Sequence, residues 1–159
     1  MALTYNEYDA RIDAIVTAFM DARAGTLGQQ LPKAVTVHKG PYRDTEASAG
    51  DFAVFISRRG LPEVKYDMGT QTAHVTMGVD VAAASYSVAG TSADLEGYVS
   101  IFAANVTALL FSLVKKTGTG GWYKGIFRGS DAITLRDEKQ QTVELEVFQF
   151  DATFEVNYA

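Results

Sequence analysis

Residues 142–158 carry the clearest two-residue period in the chain, and its phase reverses partway. In the second half Phe148, Phe150, Ala152, Phe154, Val156 and Tyr158 share one parity, while Gln149, Asp151, Thr153, Glu155 and Asn157 share the other. That is the pattern of a strand with one dry face and one wet face. In the first half the apolar parity is opposite, with Val143, Leu145 and Val147 set between Thr142, Glu144 and Glu146. A change of phase by one residue moves every side chain to the other face of a sheet. With only one face covered, several large side chains would meet water, each worth roughly 1.5–3 kcal/mol on burial. Both halves must therefore be buried on different sides. This predicts a bulge or bend near residues 146–149, with the Phe148 half on a helix and the Val143 half covered by another element or a second subunit.

The rest of the chain has to supply those covers. At 159 residues it fits one domain with one core, able to bury about two thirds of its unfolded surface without metals or crosslinks. The absence of cysteine removes disulfide scaffolds, thiolate zinc sites and thiol nucleophiles together. A net charge of -5 has the wrong sign for a nonspecific grip on phosphate backbones. No signal peptide is expected at the N-terminus, which lacks a basic flank and an apolar run. No membrane span is expected either, because the longest apolar-rich run, residues 99–114, is interrupted by Ser100, Asn105, Thr107 and Ser112.

In chain order, Thr4 and Glu7 form a capping box, and Tyr8, Ile12, Ile15, Phe19 and Met20 form the apolar stripe of a first helix reaching about Ala24. Val35 and Val37 mark a short strand ended by Gly40 and Pro41. Residues 39–50 are polar and lack an apolar period, which predicts a projecting, mobile loop with Tyr42 and Arg43 as its contact residues. Residues 51–58 are apolar on both parities, as in a strand covered on both faces. Gly60 and Pro62 predict a turn, Val64, Tyr66 and Met68 a returning strand, and residues 72–81 a long half-buried strand, a three-strand meander in all. Thr91 or Ser92 caps a second helix, in which Leu95, Val99, Phe102, Val106, Leu109, Leu110 and Leu113 recur by threes and fours up to Lys115 and Lys116. A glycine-rich connection follows, and Ala132, Ile133 and Leu135 suggest one more short strand.

Charge is unevenly spread over this order. Lys115, Lys116, Lys124 and Arg128 form a basic segment, and Glu144, Glu146, Asp151 and Glu155 an acidic one. Patches of opposite sign suit head-to-tail contact between identical subunits, although ordinary solvated charge gives the same pattern.

Tests for chemistry find little. The glycines follow the lysines, the reverse of a phosphate loop. His38 and His74 lie on wet strand parities without a second ligand at metal spacing. No nucleophile elbow occurs, and the alternation that pairs Glu144 with Glu146 also explains both as solvent-facing. Asn105 and Thr107 match a glycosylation sequon only by chance, inside a helix. Trp122 and Tyr123 read as a lid over the core or an exposed aromatic platform. No enzymatic activity and no cofactor are expected.

Helix, strand, long loop, meander, a helix over residues 92–116, a glycine-rich connection and a closing alternation over residues 148–158 form an order that resembles the tail terminator proteins of long-tailed bacteriophages. The resemblance spans essentially the whole chain, and it implies a single α+β domain. Its mostly antiparallel sheet would have two main helices, the long central one packed across it. It further implies a structural virion protein that forms a hexameric ring on the tail tube, stops tube growth and joins the tail to a head or neck connector. DNA would pass through the channel unbound, no membrane would be involved, and the subunit would pass from host cytoplasm into the virion. The family has no catalytic motif, so no residue roles come with it. Tyr42, Arg43, Lys124, Arg128, Glu144 and Glu146 are the candidate subunit or partner contacts. Another ring-forming neck or tail connector, or a small-molecule-binding α+β domain, remains the alternative.

Overall fold

Apolar residues spaced by threes and fours wind into two helices, and the period-two stretches pair into one sheet. The computed structural model describes residues 5–45, 50–87, 93–114, 124–136, 138 and 142–157. In chain order these are α1 (Tyr5–Asp21), β1 (Val35–Lys39), β2 (Phe52–Asp67), β3 (Thr72–Ser87), α2 (Ala93–Val114), β4 (Lys124–Arg136) and β5 (Thr142–Asn157). The strands lie in the order β1-β2-β3-β5-β4. β1 runs parallel to β2, and every other neighbouring pair is antiparallel. The class is α+β, with a mostly antiparallel sheet and two helices. The expected caps at Thr4, Thr91 and Ser92, together with Lys115, Lys116, Trp122, Tyr123 and Tyr158, lie outside the described residues.

Both helices cover one face of the sheet, α1 against β1 and β2, α2 against β3 and β5. The 22-residue α2 is thus one of two side-by-side covers and not a central helix. Ile12, Ile15, Val16 and Phe19 of α1 and Phe102, Val106, Leu109, Leu110 and Leu113 of α2 meet Val54, Val75, Met77, Val79, Val81, Phe148, Phe150 and Phe154 in the main core. Asn105, the one amide in α2's apolar run, donates its Nδ2 hydrogens to the carbonyls of Leu27 at 3.2 Å and Gln29 at 2.9 Å, which ties the α1–β1 connection to α2.

A second core occupies the other face, where one core was expected. Ala53, Phe55, Ala82, Ala84, Tyr86, Val143 and Leu145 form it, with Tyr42, Leu135 and Val147 packed at its margin. β2 is covered on both faces over residues 52–56, as its double apolar parity requires.

β5 does not bend. Its ladder with β3 runs from Thr72↔Asn157 to Ser87↔Thr142 without a register shift. The phase reversal is resolved by the covers: Phe148, Phe150 and Phe154 join the helix-side core, and Val143 and Leu145 join the second core. The bulge predicted for residues 146–149 falls on the neighbouring strand β4 between Phe127 and Gly129, opposite Phe150 and Gln149. A regular strand is permitted because each half meets a different layer.

The predicted turn at Gly60 and Pro62 is also a bulge. β2 re-pairs with β3 at Glu63↔Thr76, so Gly60, with φ +66°, Leu61 and Pro62 are looped out of one long strand. The chain reverses instead at residues 68–71, where Asp67 Oδ1 accepts from the amides of Gly69 at 2.9 Å and Thr70 at 3.3 Å. β4 is likewise longer than the short strand expected, and it incorporates Gly125 and Gly129.

On the face away from the helices, Arg59 reaches across β3. Its Nη1 donates to Asp80 Oδ1 at 2.7 Å and its Nη2 to Asp151 Oδ1 at 2.8 Å. The guanidinium passes over Gly78, where a Cβ would stand 2.9 Å from Nη2. One side chain thereby links β2, β3 and β5.

Two glycines give opposite expectations. A Cβ on Gly28 would meet the Arg23 carbonyl oxygen at 2.2 Å, whereas one on Gly97, exposed on α2, meets nothing within 4 Å. Urea unfolding should show Gly28→Ala destabilised by roughly 1–3 kcal/mol through overpacking, and Gly97→Ala stabilised by about 0.5–1 kcal/mol through helix propensity. Equal effects would contradict the tight α1–β1 connection.

Candidate assembly surfaces

Phe55 sits on the second face of β2, and the chain after β1 folds back to cover it. His38 stacks on the ring with centroids 4.8 Å apart and planes 18° from parallel. Tyr42 meets it edge-on at 5.2 Å, and the Arg43 guanidinium carbon lies 5.6 Å from its centroid. Arg43 Nη1 donates to the carbonyls of Lys39 at 3.3 Å and Pro41 at 3.4 Å. Residues 41–45 therefore do not project as expected, because a phenylalanine on the second face needs a lid. Residues 46–49 lie outside the described residues. His38 is half-buried, not the exposed strand histidine expected, and its pKa is lowered from 6.5 by burial and then by the charge of Arg43.

Lys124 and Arg128 of the basic segment lie on β4, next to the acidic segment on β5. Lys124 pairs in register with Thr153, Ala132 with Glu146 and Thr134 with Glu144, so the charge contrast already exists within a single subunit. Lys124 and Arg128 are placed by the backbone of β4, Arg128 at its bulge, and their side chains lie outside the described residues. Glu144 and Glu146 share the helix-side face of β5 and are half-buried, where solvent-facing residues were expected. Glu144 Oε2 accepts from Thr134 Oγ1 at 2.9 Å. Both carboxylates border a 40 Å³ recess under Val99, Phe102 and Ala103 of α2.

A second recess of 240 Å³ opens where β1 ends, floored by Ile12 and Ile56 and bordered by Asp9, Lys39 and Arg58. Lys39 Nζ lies 2.6 Å from Asp9 and 2.7 Å from Asp13, and these bonds, that to Asp13 first, raise its pKa above the ordinary 10.5. Both recesses fall below the roughly 300–1,000 Å³ of sites that enclose small organic ligands.

The sheet ends in two borders. β1 accompanies β2 only along residues 52–56, so among the described residues the outer edge of β2 from residue 57 onward carries no strand. β4 is the other border. Each border strand has a bulge, and β2 also has Pro62, devices that blunt uncontrolled pairing. Leu61, Tyr66 and Met68 are exposed along the β2–β3 hairpin, and Phe111 is exposed on α2. The sequence reading missed these and the Arg59 bridge. A signal for the bridge was present, since a glycine at position 78 on the wet parity of a strand, two residues before Asp80, marks a place where another group crosses.

No protein-family model matches the chain, and no curated protein matches it. Among solved structures, the chain is similar to a chain in the virion of a native gene transfer agent particle, with 16% identity and a TM-score of 0.48 over 96% of this chain and 100% of the other.

The lid on Phe55 should respond to pH. Because the folded state holds the His38 pKa below 6.5, the unfolded chain binds the extra proton first, so stability is full above 6.5 and falls as pH drops through it. Asp67, held below 3.8 mainly by Thr70 and then by the Gly69 amide, acts only in a more acidic window. Chemical denaturation at pH 7.5 and 5.5 should show a loss for the native sequence and a smaller one for His38→Phe. An unchanged pH dependence in the variant would exclude the histidine.

Proposed function

We propose that this chain is a structural virion protein, a phage tail terminator whose subunits close into a hexameric ring on the end of the tail tube. The ring stops tube growth and joins the tail to a head or neck connector. The observation that carries this reading is a sheet whose two borders carry no further strand among the described residues, together with exposed apolar residues on an arm and on a helix. Such surfaces are covered when identical subunits associate head to tail, and contacts of that kind close into rings when the rotation allows.

The polar side chains support the same reading. Arg59, Lys39, Asn105 and Asp67 bind carboxylates or backbone groups that hold the fold together, and we assign the chain no catalytic role and no cofactor. A net charge of -5 suits a channel wall along which DNA slides without being held.

The reading is tested by the mass and shape of the purified chain. Light scattering and negative-stain images should show a closed ring of about six subunits, the number drawn from the tail terminator resemblance and the closure from cyclic symmetry. Addition of the ring to polymerising tube subunits should fix tube length. A chain that stays monomeric at all concentrations and leaves tube length unchanged would refute the proposal. A ring that binds a head connector but does not stop tube growth would make it a neck connector instead.

A further inference from the structure

β2 and β4, which bound the sheet along its hairpin half, run in opposite directions, since three successive antiparallel pairings separate them. Copies of this chain set side by side in one orientation therefore bring β4 of one to β2 of the next as an antiparallel pair. Among the described residues β1 stops at the level of Ile56, and no strand lies along the outer edge of β2 beyond it. An extended edge of that kind offers backbone N–H and C=O groups to an added strand. Pro62, which has no N–H, and the β2 bulge set the near limit of its regular stretch, which is residues 63–67.

One register between these strands meets the demands of face, charge and shape together. On β2, Val64 and Tyr66 stand opposite Val75 and Ala73 on the helix-side face, and Glu63, Lys65 and Asp67 share the other face. On β4, Gly125 and Phe127 stand opposite Ala152 and Phe150 on the helix side, and Lys124 and Ile126 take the other face. Placing Lys124 opposite Asp67 sets Gly125 opposite Tyr66, Ile126 opposite Lys65, Phe127 opposite Val64 and Arg128 opposite Glu63. The helices of both copies then stay on one side of a continuous sheet, and two basic positions meet two acidic ones. Tyr66, 63% exposed, falls beside a residue without a side chain, and the bulges of both strands fall at the same end of the paired block. A slide of two residues either way keeps the faces but sets Lys124 or Arg128 against Lys65.

We propose that residues 124–128 of β4 pair with residues 63–67 of β2 in the next copy of this chain, an inference that rests on the ring reading and supplies its contact. Because the two edges are different surfaces, the contact is head to tail and repeats from copy to copy. Within one subunit Lys124 is level with Glu63, through Thr153 and Thr76. Pairing it with Asp67 instead displaces each copy by four residues, about 13 Å, along the strands. A stagger of constant sense is the shear that tilted strands need to close on themselves, so the same register that matches the charges also turns the row of copies toward closure.

The chain has no cysteine, so introduced thiols report the contact directly. Opposed residues on antiparallel strands have Cα atoms about 4.5–5.5 Å apart, within the span of a disulfide. Within one subunit the intervening β3 and β5 hold β2 and β4 about 14 Å apart. The full chain with Tyr66→Cys and Gly125→Cys, or with Lys65→Cys and Ile126→Cys one rung away, is oxidised mildly and run on a non-reducing gel. At least one of the two pairs should give covalent multimers up to the size of the ring. Lys65→Cys with Gly125→Cys, positions on opposite faces, should stay uncrosslinked. Glu63→Arg alone and Arg128→Glu alone should each raise the midpoint concentration of assembly at least threefold with an unchanged circular dichroism spectrum, and the two together should recover most of the loss. Native-size rings that crosslink at neither rung would overturn the contact while leaving the ring reading in place. Tyr66→Cys alone crosslinking into a two-copy species would show β2 pairing with itself and would overturn the contact as well. A native chain that never assembles would overturn both contact and ring.

Discussion

The structure depends on β3 being buried on two faces along one half of its length and on one face along the other. Residues 81–86 are all buried, with Val81 and Ala83 under the helices and Ala82, Ala84 and Tyr86 in the second core. The alanines at positions 82–84 are small enough for large side chains from neighbouring strands, Phe55 and Leu145 among them, to fill the space beside them. Toward the hairpin only the helix side stays apolar, and the other face carries His74, Thr76, Gly78 and Asp80. Every strand paired to β3 inherits this division. It is the reason β5 reverses its apolar phase without leaving the ladder.

Where the second core ends, charge takes over. Arg59, Asp80 and Asp151 stand on the face that Phe55 and Val143 occupy further along, and they link three strands beyond the end of the second core as the described residues form it. Asp151 is buried nonetheless, and the paired guanidinium compensates the lost hydration that a lone buried carboxylate would suffer. The Thr76 and Thr153 hydroxyls continue this polar ladder at 3.0 Å. Thus the hairpin end of the sheet is held by hydrogen bonds and ion pairs, and the other end by packing.

This division also orders the outer surface. The end packed on both faces lies under Val99, Phe102 and Ala103 of α2, which carries no charge over residues 97–114, and the polar end bears an arm with exposed leucine and methionine. A subunit whose two ends differ in this way has a direction, and direction is what a head-to-tail assembly requires. Several charged residues, in contrast, are engaged within the subunit: Lys39 with Asp9 and Asp13, Lys33 with Asp51, Arg59 with its two aspartates.

The sequence alone marked most of the dry positions, although Met20 of the α1 stripe is exposed and Asp151 of the wet parity is buried. The periods of α1, α2, β1 and β5, and the double parity of residues 52–56, follow from side-chain alternation that is set before any packing. The need for two covers over β5 was likewise written in its phase. What covers each half was decided by tertiary structure. Tyr42 and Arg43 sit in a polar stretch without a period, and only the position of Phe55 across the sheet explains why they fold back onto it. Gly60 and Pro62 carry every local mark of a turn, yet the pairing of Glu63 with Thr76 keeps β2 in its ladder past them and moves the reversal to Asp67. Basic β4 and acidic β5 look like surfaces of different subunits until the strand order makes them neighbours. Local sequence fixes the preference of each residue for water or core, but partners far along the chain are chosen by the closing of the sheet, and that choice is cooperative.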